Sequence, residues 1–351
     1  MKLLTQLVQT AAVPGREHRI RKLIQQQTKD LFDEVRVDTL GSLIGIRKPR
    51  PKKARPKAKP TRVMLAAHMD QIGFLVRHID DKGFIRLNPV GGFDTRNLFA
   101  RFCNVCPDLD DPSKDLHGVL NPAGKPLHIS SPEDRKKVPE LEEFVVDLGL
   151  PGDEVKQRVQ LGDMVVLRSP LTQVGNTVVA QSLDNRAACW IVIRALQQLE
   201  HHDCEIQAVF TVQEEVGLRG AGTAAYDLKP DIGIAVDTTL CVDTPGVPEE
   251  LRVTVQGQGA GLTVMDGSSI SDPQLLDHFQ NVAQRHSIAH QRTILPRGGT
   301  DAGTIQRAGA GVRAFTLSCP TRYIHTVAEM VHLDDLNACR DLLAAYLADV
   351  D

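Results

Sequence analysis

The stretches AAHMDQIG, SLDNRAAC, VQEEVGLRG, AVDTT and RYIHT place His68 with Asp70, then Asp184, Glu214 with Glu215, Asp237 and His325 along the chain. Imidazoles and carboxylates in this number form a donor set for divalent metal ions. Taken singly, each has a plainer use. An HxD is an ordinary structural pair, Asp184 is placed to cap a helix, and acidic strand ends are common. The Glu214-Glu215 pair resists that explanation, because it closes the apolar run AVFTV. Adjacent carboxylates there repel and lose solvation unless cations or protons compensate them.

The set divides between two ions: His68 and Asp237 on one, Glu215 and His325 on the other, and Asp184 bridging both. Two ions about 3.5 to 4 Å apart polarise a carbonyl and acidify a shared water. Adjacent residues diverge in direction, so Glu214 is predicted to stand off the ions as the general base and pass a proton to a leaving amine. Residues two apart in a strand share a face, so Asp70 is predicted to accept the second ring proton of His68 and orient it. The chemistry this predicts is cleavage of an amide.

The elements that must position these residues follow from apolar periodicity. Residues 2–10 and 16–31 read as amphipathic helices, and strands are predicted near 34–39, 42–47 and 62–67. From residue 186 helices and strands alternate: RAACWIVIRALQQL as helix, CEIQAVFTV and GIAVD as strands, SDPQLLDHFQNVAQRH and LNACRDLLAAYLADV as helices. Alternation of this kind predicts an α/β fold with a mostly parallel sheet flanked by helices, whose carboxyl ends open into a crevice. Between 73 and 163 the chain changes to short strands such as GFLVRHI and GDMVVLR, punctuated by Gly, Pro and Asp. The predicted organisation is a catalytic domain of residues 1–72 and 164–351 with an inserted small β-domain, 73–163, that walls the crevice or carries a subunit contact.

Composition sets limits. A chain of 351 residues with 42% hydrophobic content can bury a large core. The opening MKLLTQLVQTAAV is too short and polar for export, and no run approaches the roughly 18 apolar residues of a membrane span. Seven cysteines without framework spacing fit reduced thiols and a cytoplasmic location. Cys103 and Cys106 form one CxxC with no second pair, which reads as two packed thiols. The net charge of −3 hides an asymmetry: Arg47 to Arg62 carries nine basic residues and four prolines, so removing those nine charges leaves the rest of the chain near −12. Such a segment reads as a flexible basic loop over 48–60. It lacks the aromatics that stack on bases, so a nucleic-acid partner is not expected.

In this order, AAHMDQIGF, SLDNRAAC, VQEEVGLRGA, AVDTT, RGGTDAGTIQ and RYIHT resemble the M42 family of dinuclear metalloaminopeptidases, related to tetrahedral and glutamyl aminopeptidases and often labelled endoglucanases. The resemblance runs from about residue 4 to the last helix. It implies the same ligands, namely His68, Asp184, Glu215, Asp237 and His325, with Glu214 as base and Asp70 as the orienting carboxylate. It also implies two ions of zinc, cobalt or manganese, peptide substrates, a PDZ-like insert, and dimers that assemble to a dodecamer. A cis peptide bond after Asp184 belongs to the same expectation. Asp301, in the RGGTDAGTIQ stretch, is expected to cap a helix or to touch substrate. The chain departs from the family pattern in its basic insert and in Asn185, where an acidic residue is common.

Three rivals stand beside this reading. A glycosidase is disfavoured, because adjacent glutamates do not hold carboxyls about 5 Å or more apart across a sugar. Aromatics at 4% also leave little to stack on. A deacylase or carboxypeptidase of the same fold is closer, the latter needing an arginine in the pocket to hold a carboxylate. A nonenzymatic binder acting through the basic loop is the most distant.

Overall fold

The structure is a computed structural model that describes residues 1–52 and 59–350. Its strands, in chain order, are β1 (Glu34–Val37), β2 (Leu43–Arg47), β3 (Arg62–His68), β4 (Gly73–Ile79), β5 (Ile85–Val90), β6 (Arg101–Cys106), β7 (Leu116–Pro122), β8 (Phe144–Asp147), β9 (Met164–Leu167), β10 (Thr172–Val174), β11 (Thr177–Ala180), β12 (Glu205–Thr211), β13 (Ile232–Leu240), β14 (Ala260–Met265), β15 (His290–Ile294), β16 (Arg313–Arg322) and β17 (Glu329–His332). Its helices are α1 (Lys2–Gln9), α2 (His18–Gln27), α3 (Gly152–Arg158), α4 (Leu183–Gln198), α5 (Arg219–Leu228), α6 (Pro273–Arg285), α7 (Ala302–Gln306) and α8 (Leu333–Asp349). No helix among them is long and apolar enough to cross a membrane.

Eleven strands form one sheet in the order β1-β2-β12-β3-β13-β16-β17-β11-β10, with β14 on β16 and β15 on β14. Parallel pairing is confined to β12-β3-β13-β16 and to β14-β15, while the remaining neighbours run antiparallel. The expected mostly parallel sheet is thus corrected to a mixed one. The physical reason is connection length: short links such as that between β10 and β11 return the chain antiparallel, whereas parallel neighbours need a crossover. The central strands are buried on both faces, so β3 reads RVMLAAH with every residue after Arg62 buried. Helix α4 is apolar almost all round because it is wedged into the same core, where Ala187, Cys189, Trp190, Ile191 and Ile193 meet Leu342, Leu343 and Leu347 of α8.

The inserted domain is a closed six-stranded barrel in the order β4-β5-β8-β7-β6-β9. Alternation along β7 sends Leu116, Gly118 and Leu120 inward and leaves their neighbours exposed. The expected boundary at residue 163 is too early. Strand β9 pairs with β4 at Phe74↔Val165 and with β6 at Cys103↔Leu167, so the barrel closes only at Leu167. Cys103 points into the barrel core, whereas Cys106, three residues on and therefore on the other face, packs with Val13 and Val166. All seven cysteines are buried free thiols.

Of the basic segment, residues 53–58 of the expected loop 48–60 lie outside the described residues. Its flanks are anchored. Arg47 is buried, and its guanidinium donates to the Leu196 and Leu199 carbonyls at the end of α4, where a cation suits the helix dipole. Arg50 exchanges backbone hydrogen bonds with His202.

Candidate metal centre

The cluster forms where the central parallel strands end. His68 is the last residue of β3, in register with Thr211 at the end of β12. The chain continues from β12 through Val212 and Gln213 into Glu214 and Glu215, and Gln213 adopts a left-handed φ of 56° just before the pair. Asp237 lies within β13, beyond the last pairing with β3 at Ala235↔Ala66, on a stretch that stays paired with β16 to Leu240. Asp184 comes from the start of α4, where Asp184 and Asn185 have non-helical backbone angles and are joined by a cis peptide bond. Among the described residues no backbone N–H of α4 donates to the Asp184 carboxylate, so Asp184 does not cap the helix. Its N–H is instead donated to Glu329.

The side chains converge. His68 Nε2 lies 3.2 Å from Asp184 Oδ1, 3.7 Å from Glu214 Oε2 and 3.7 Å from Asp237 Oδ1. His325 Nε2 lies 3.6 Å from the other oxygen of Asp184 and 3.4 Å from Glu215 Oε2. The two glutamates thus diverge toward different histidines, and Asp184 faces both. Potential ligand atoms of His68, Glu214 and Asp237 lie within 4.8 Å of one another, as do those of His68, Asp184 and Glu215.

Asp70 faces the far side of the His68 ring but has closer partners elsewhere. Its Oδ1 is 3.6 Å from His68 Nδ1, beyond hydrogen-bond reach, while the Asp70 carbonyl is 3.3 Å away. The carboxylate instead accepts the N–H groups of Glu214 and Glu215, each at 3.1 Å. It therefore fixes the glutamate backbone more directly than the imidazole. Glu17 does the same one residue earlier, accepting the Gln213 N–H at 3.1 Å.

Sequence reasoning missed Glu329. It is buried and accepts the N–H of Asp184 through Oε2 and that of His325 through Oε1, both at 2.9 Å. Between His325 and Glu329, Val327 packs into the core of the barrel. A Cβ added at Gly92 of the barrel would come within 3.7 Å of His325 Nδ1. The inserted domain therefore abuts the cluster. Asp301 neither caps α7 nor lines the cavity above the cluster. It is buried beneath, with Oδ2 accepting from the Thr211 hydroxyl at 2.6 Å and Oδ1 without a partner among the described residues. Burial pushes its carboxyl up to about 6.

Electrostatics show a site rich in negative charge. Burial drives Glu214, Asp237 and Glu329 well above the usual carboxylate range, and neighbouring acids add to the effect. Burial alone would lower His68, but Glu214, Asp184 and Asp70 outweigh it and hold the imidazole well up. His325, likewise depressed by burial and raised more by Glu215 and Asp184, reaches about 9. A clustered set of two imidazoles, His68 buried and His325 partly exposed, with four carboxylates is what divalent cations need, and the residues present fit them. Above the cluster opens a cavity of about 780 Å³, walled by Leu218, Leu240, Leu295 and Ile324 and bearing one further charge, Arg297.

A histidine and carboxylate cluster at the carboxyl ends of parallel strands, flanked by an inserted barrel beside His325, defines an α/β protein with a candidate metal centre. The chain belongs to the M42 glutamyl aminopeptidase family, whose sequence profile matches residues 51–342. It is 31% identical to the lysyl aminopeptidase of Pyrococcus furiosus, over 99% of this chain and 97% of that one. Among solved structures it resembles the aminopeptidase APDkam598 of Desulfurococcus kamchatkensis, with TM-score 0.91 and 34% identity over 99% of this chain and 94% of that one. It also resembles the TET1 peptidase of Pyrococcus horikoshii, described as assembling into a tetrahedron or a large octahedral shell. That match has TM-score 0.85 and 29% identity over 99% and 98% of the two chains.

Proposed function

We propose that this protein is a metal-dependent aminopeptidase that removes the N-terminal residue of peptides. The observation that carries the reading is the position of Asp184, whose two oxygens face His68 and His325 separately at 3.2 and 3.6 Å. His68 and Asp237 would hold one divalent ion, Glu215 and His325 a second, and Asp184 both. Bound there, such ions would supply the charge that polarises a peptide carbonyl and acidifies a nearby water. Zinc, cobalt and manganese all suit mixed imidazole and carboxylate donors.

The chain's own groups do the rest. Glu214 takes the proton of the attacking water at Oε2 and returns it to the amine that leaves. Asp70 keeps Glu214 and Glu215 diverging by fixing both amides. Glu329 holds the backbones of Asp184 and His325, so the groups that face each other keep their spacing. The apolar cavity walls exclude water around the N-terminal side chain.

The inserted barrel, taken as the PDZ-like domain of the family, walls the site beside His325 and contributes to self-association, dimers assembling to a dodecamer. The tetrahedral and octahedral assemblies described for the Pyrococcus horikoshii relative support self-association. Seven free thiols support a reducing, cytoplasmic location.

One observation favours a second reading. Arg297 in the cavity is the kind of group that a carboxypeptidase would use for a terminal carboxylate. Free amino acid release from unblocked and N-acetylated peptides separates the two, using protein stripped of metal and reloaded with zinc, cobalt or manganese. Metal-dependent cleavage only where the amine is free is expected. Cleavage of the acetylated set would move the site to a deacylase or carboxypeptidase.

A further inference from the structure

Glu17 stands where a helix cap would stand, just before α2, yet among the described residues no amide of α2 donates to its side chain. A carboxylate at a helix start ordinarily serves the free amides of that helix. This one is buried and serves a distant loop instead. Its Oε1 accepts the Gly15 N–H at 2.8 Å and, across 196 residues of chain, the Gln213 N–H at 3.1 Å.

The segment that carries Glu17 is itself anchored. The turn before it closes through the Arg16 N–H on the Val13 carbonyl at 2.8 Å, and the Ala12 carbonyl accepts the Gln71 N–H at 3.0 Å. Arg186, fully buried, ties α1 to the chain just after Asp70, donating to the Leu7 carbonyl at 3.1 Å and to Gln71 Oε1 at 3.3 Å. Burial pushes its guanidinium down to about 10 against the pull of Cys189, Asp70 and Glu17, so the two carboxylates share one buried cation.

The loop that receives this contact is tied on both sides of Glu214. After it, the Gly217 and Leu218 N–H groups donate to the Glu214 carbonyl, both at 2.9 Å, and the Gly220 N–H donates to the Val212 carbonyl at 3.0 Å. Before it lies Gln213, whose φ of 56° is in the left-handed region that a side chain disfavours. The Gln213 and Glu214 amides belong to the two rigid peptide planes that meet at the Gln213 Cα, so holding both fixes φ and ψ of that residue. Asp70 holds the second plane through the Glu214 N–H, and Glu17 holds the first. Rotation about those two bonds would swing Glu214 relative to β12.

Resting on the aminopeptidase reading, we propose that Glu17 is a positioning residue for Glu214: through the Gln213 amide it keeps the base aimed at the water it deprotonates. Glu17 does not line the cavity, so it reaches the reaction only through the loop. Loss of its accepting oxygen frees the Gln213 peptide to leave the left-handed region. A displacement of about 1 Å at a reacting group is enough to cost about 100-fold in rate.

The measurement is kcat and KM of the metal-loaded enzyme on the free-amine peptide that wild type cleaves fastest, with metal content checked in each protein. The variants are Glu17→Gln, Glu17→Met, Glu214→Gln and the double variant Glu17→Met with Glu214→Gln. Glu17→Gln keeps an accepting oxygen at the same reach and should hold kcat within about 3-fold of wild type. Glu17→Met keeps the length without the acceptor and should lower kcat roughly 10–100-fold, with KM and metal content near wild type. In the Glu214→Gln background the same substitution should change kcat little, because a group that acts through Glu214 has nothing left to position. A Glu17→Met loss that multiplies in full onto that of Glu214→Gln overturns the inference while leaving the aminopeptidase standing. So does an unchanged kcat in Glu17→Met, a loss of metal in step with its kcat, or a Glu17→Gln variant as slow as Glu17→Met. Should Glu17→Met not fold, Glu17→Asp takes its place: the shortened side chain draws its oxygens back from the Gln213 amide, the same fall in kcat is expected, and a wild-type kcat overturns the inference. If wild type cleaves no free-amine peptide with any metal, the aminopeptidase reading itself falls and takes the inference with it.

Discussion

Glu329 holds His325 by its backbone: Oε1 accepts the His325 N–H at 2.9 Å across four residues of chain, at a position where His325 adopts a φ of 64°. The other oxygen accepts the Asp184 N–H at the same distance. One buried carboxylate therefore sets the separation of two side chains that face each other at 3.6 Å. Glu329→Ala removes both acceptors. The expected outcome is a loss of about 10–100-fold in metal affinity, the usual effect of losing a group that orients a ligand. Titration of apo protein with zinc, followed by calorimetry, reads it. Unaltered affinity in a folded variant would show that Glu329 only fills space.

Glu214→Gln keeps the size of the side chain and removes its capacity to accept a proton. Metal content and thermal stability should stay near wild type, while kcat falls by about 10²–10⁴-fold, the usual worth of a general base. Glu214 also stands within 4.8 Å of potential ligand atoms of His68 and Asp237. A variant that lost metal in step with activity would make it a ligand instead.

Removal of metal should destabilise the fold, because four carboxylates are then left facing one another in a buried site. Reloading with an ion at 100 times its dissociation constant would stabilise the chain by about 2.7 kcal/mol for each site through mass action. Thermal melting of chelated protein, against added zinc, cobalt and manganese, measures this. Stoichiometry by elemental analysis should come to two ions per chain, and a value of one would remove the bridging role assigned to Asp184.

The positions that converge on the cavity were legible in the sequence because each ends or follows an apolar run, and strand ends of one sheet gather at one edge. His68 and the Glu214-Glu215 pair are the clearest cases. Glu329 was not legible, since it acts through backbone amides that no side-chain pattern records. Nor was the proton acceptor shift at Asp70: a two-residue spacing says which face the side chain takes, but the turn at Gln213 decides which donors it meets there. Arg47 looked like the edge of a basic loop, whereas its neighbours in space are the last carbonyls of α4. The late closure of the barrel at β9 and the antiparallel flanks of the large sheet escaped for a shared reason: both are set by pairing between distant segments rather than by local periodicity.

A last expectation concerns acid stability away from the candidate metal centre. The guanidinium of Arg322, at the end of β16 three residues before His325, donates to both oxygens of Asp243, at 2.6 and 2.7 Å. This pair, with help from the Gln256 N–H, holds the Asp243 carboxyl down to about 2 from an ordinary 3.8. A carboxyl whose pKa is depressed by folding contributes stability that is complete above its unfolded value and disappears as pH falls through its folded one. The contribution of Asp243 is therefore full above about pH 4 to 5 and gone near pH 2. With side chains 10% and 26% exposed, the pair is partly screened by solvent. Asp243→Asn should thus cost on the order of 1–2 kcal/mol at pH 7. Urea unfolding of both proteins at pH 7, 5, 4 and 3 tests this: the gap should stay constant down to pH 5 and narrow below pH 4. A gap that stayed constant to pH 3 would mean that the hydrogen bonds, and not the charge, stabilise this turn.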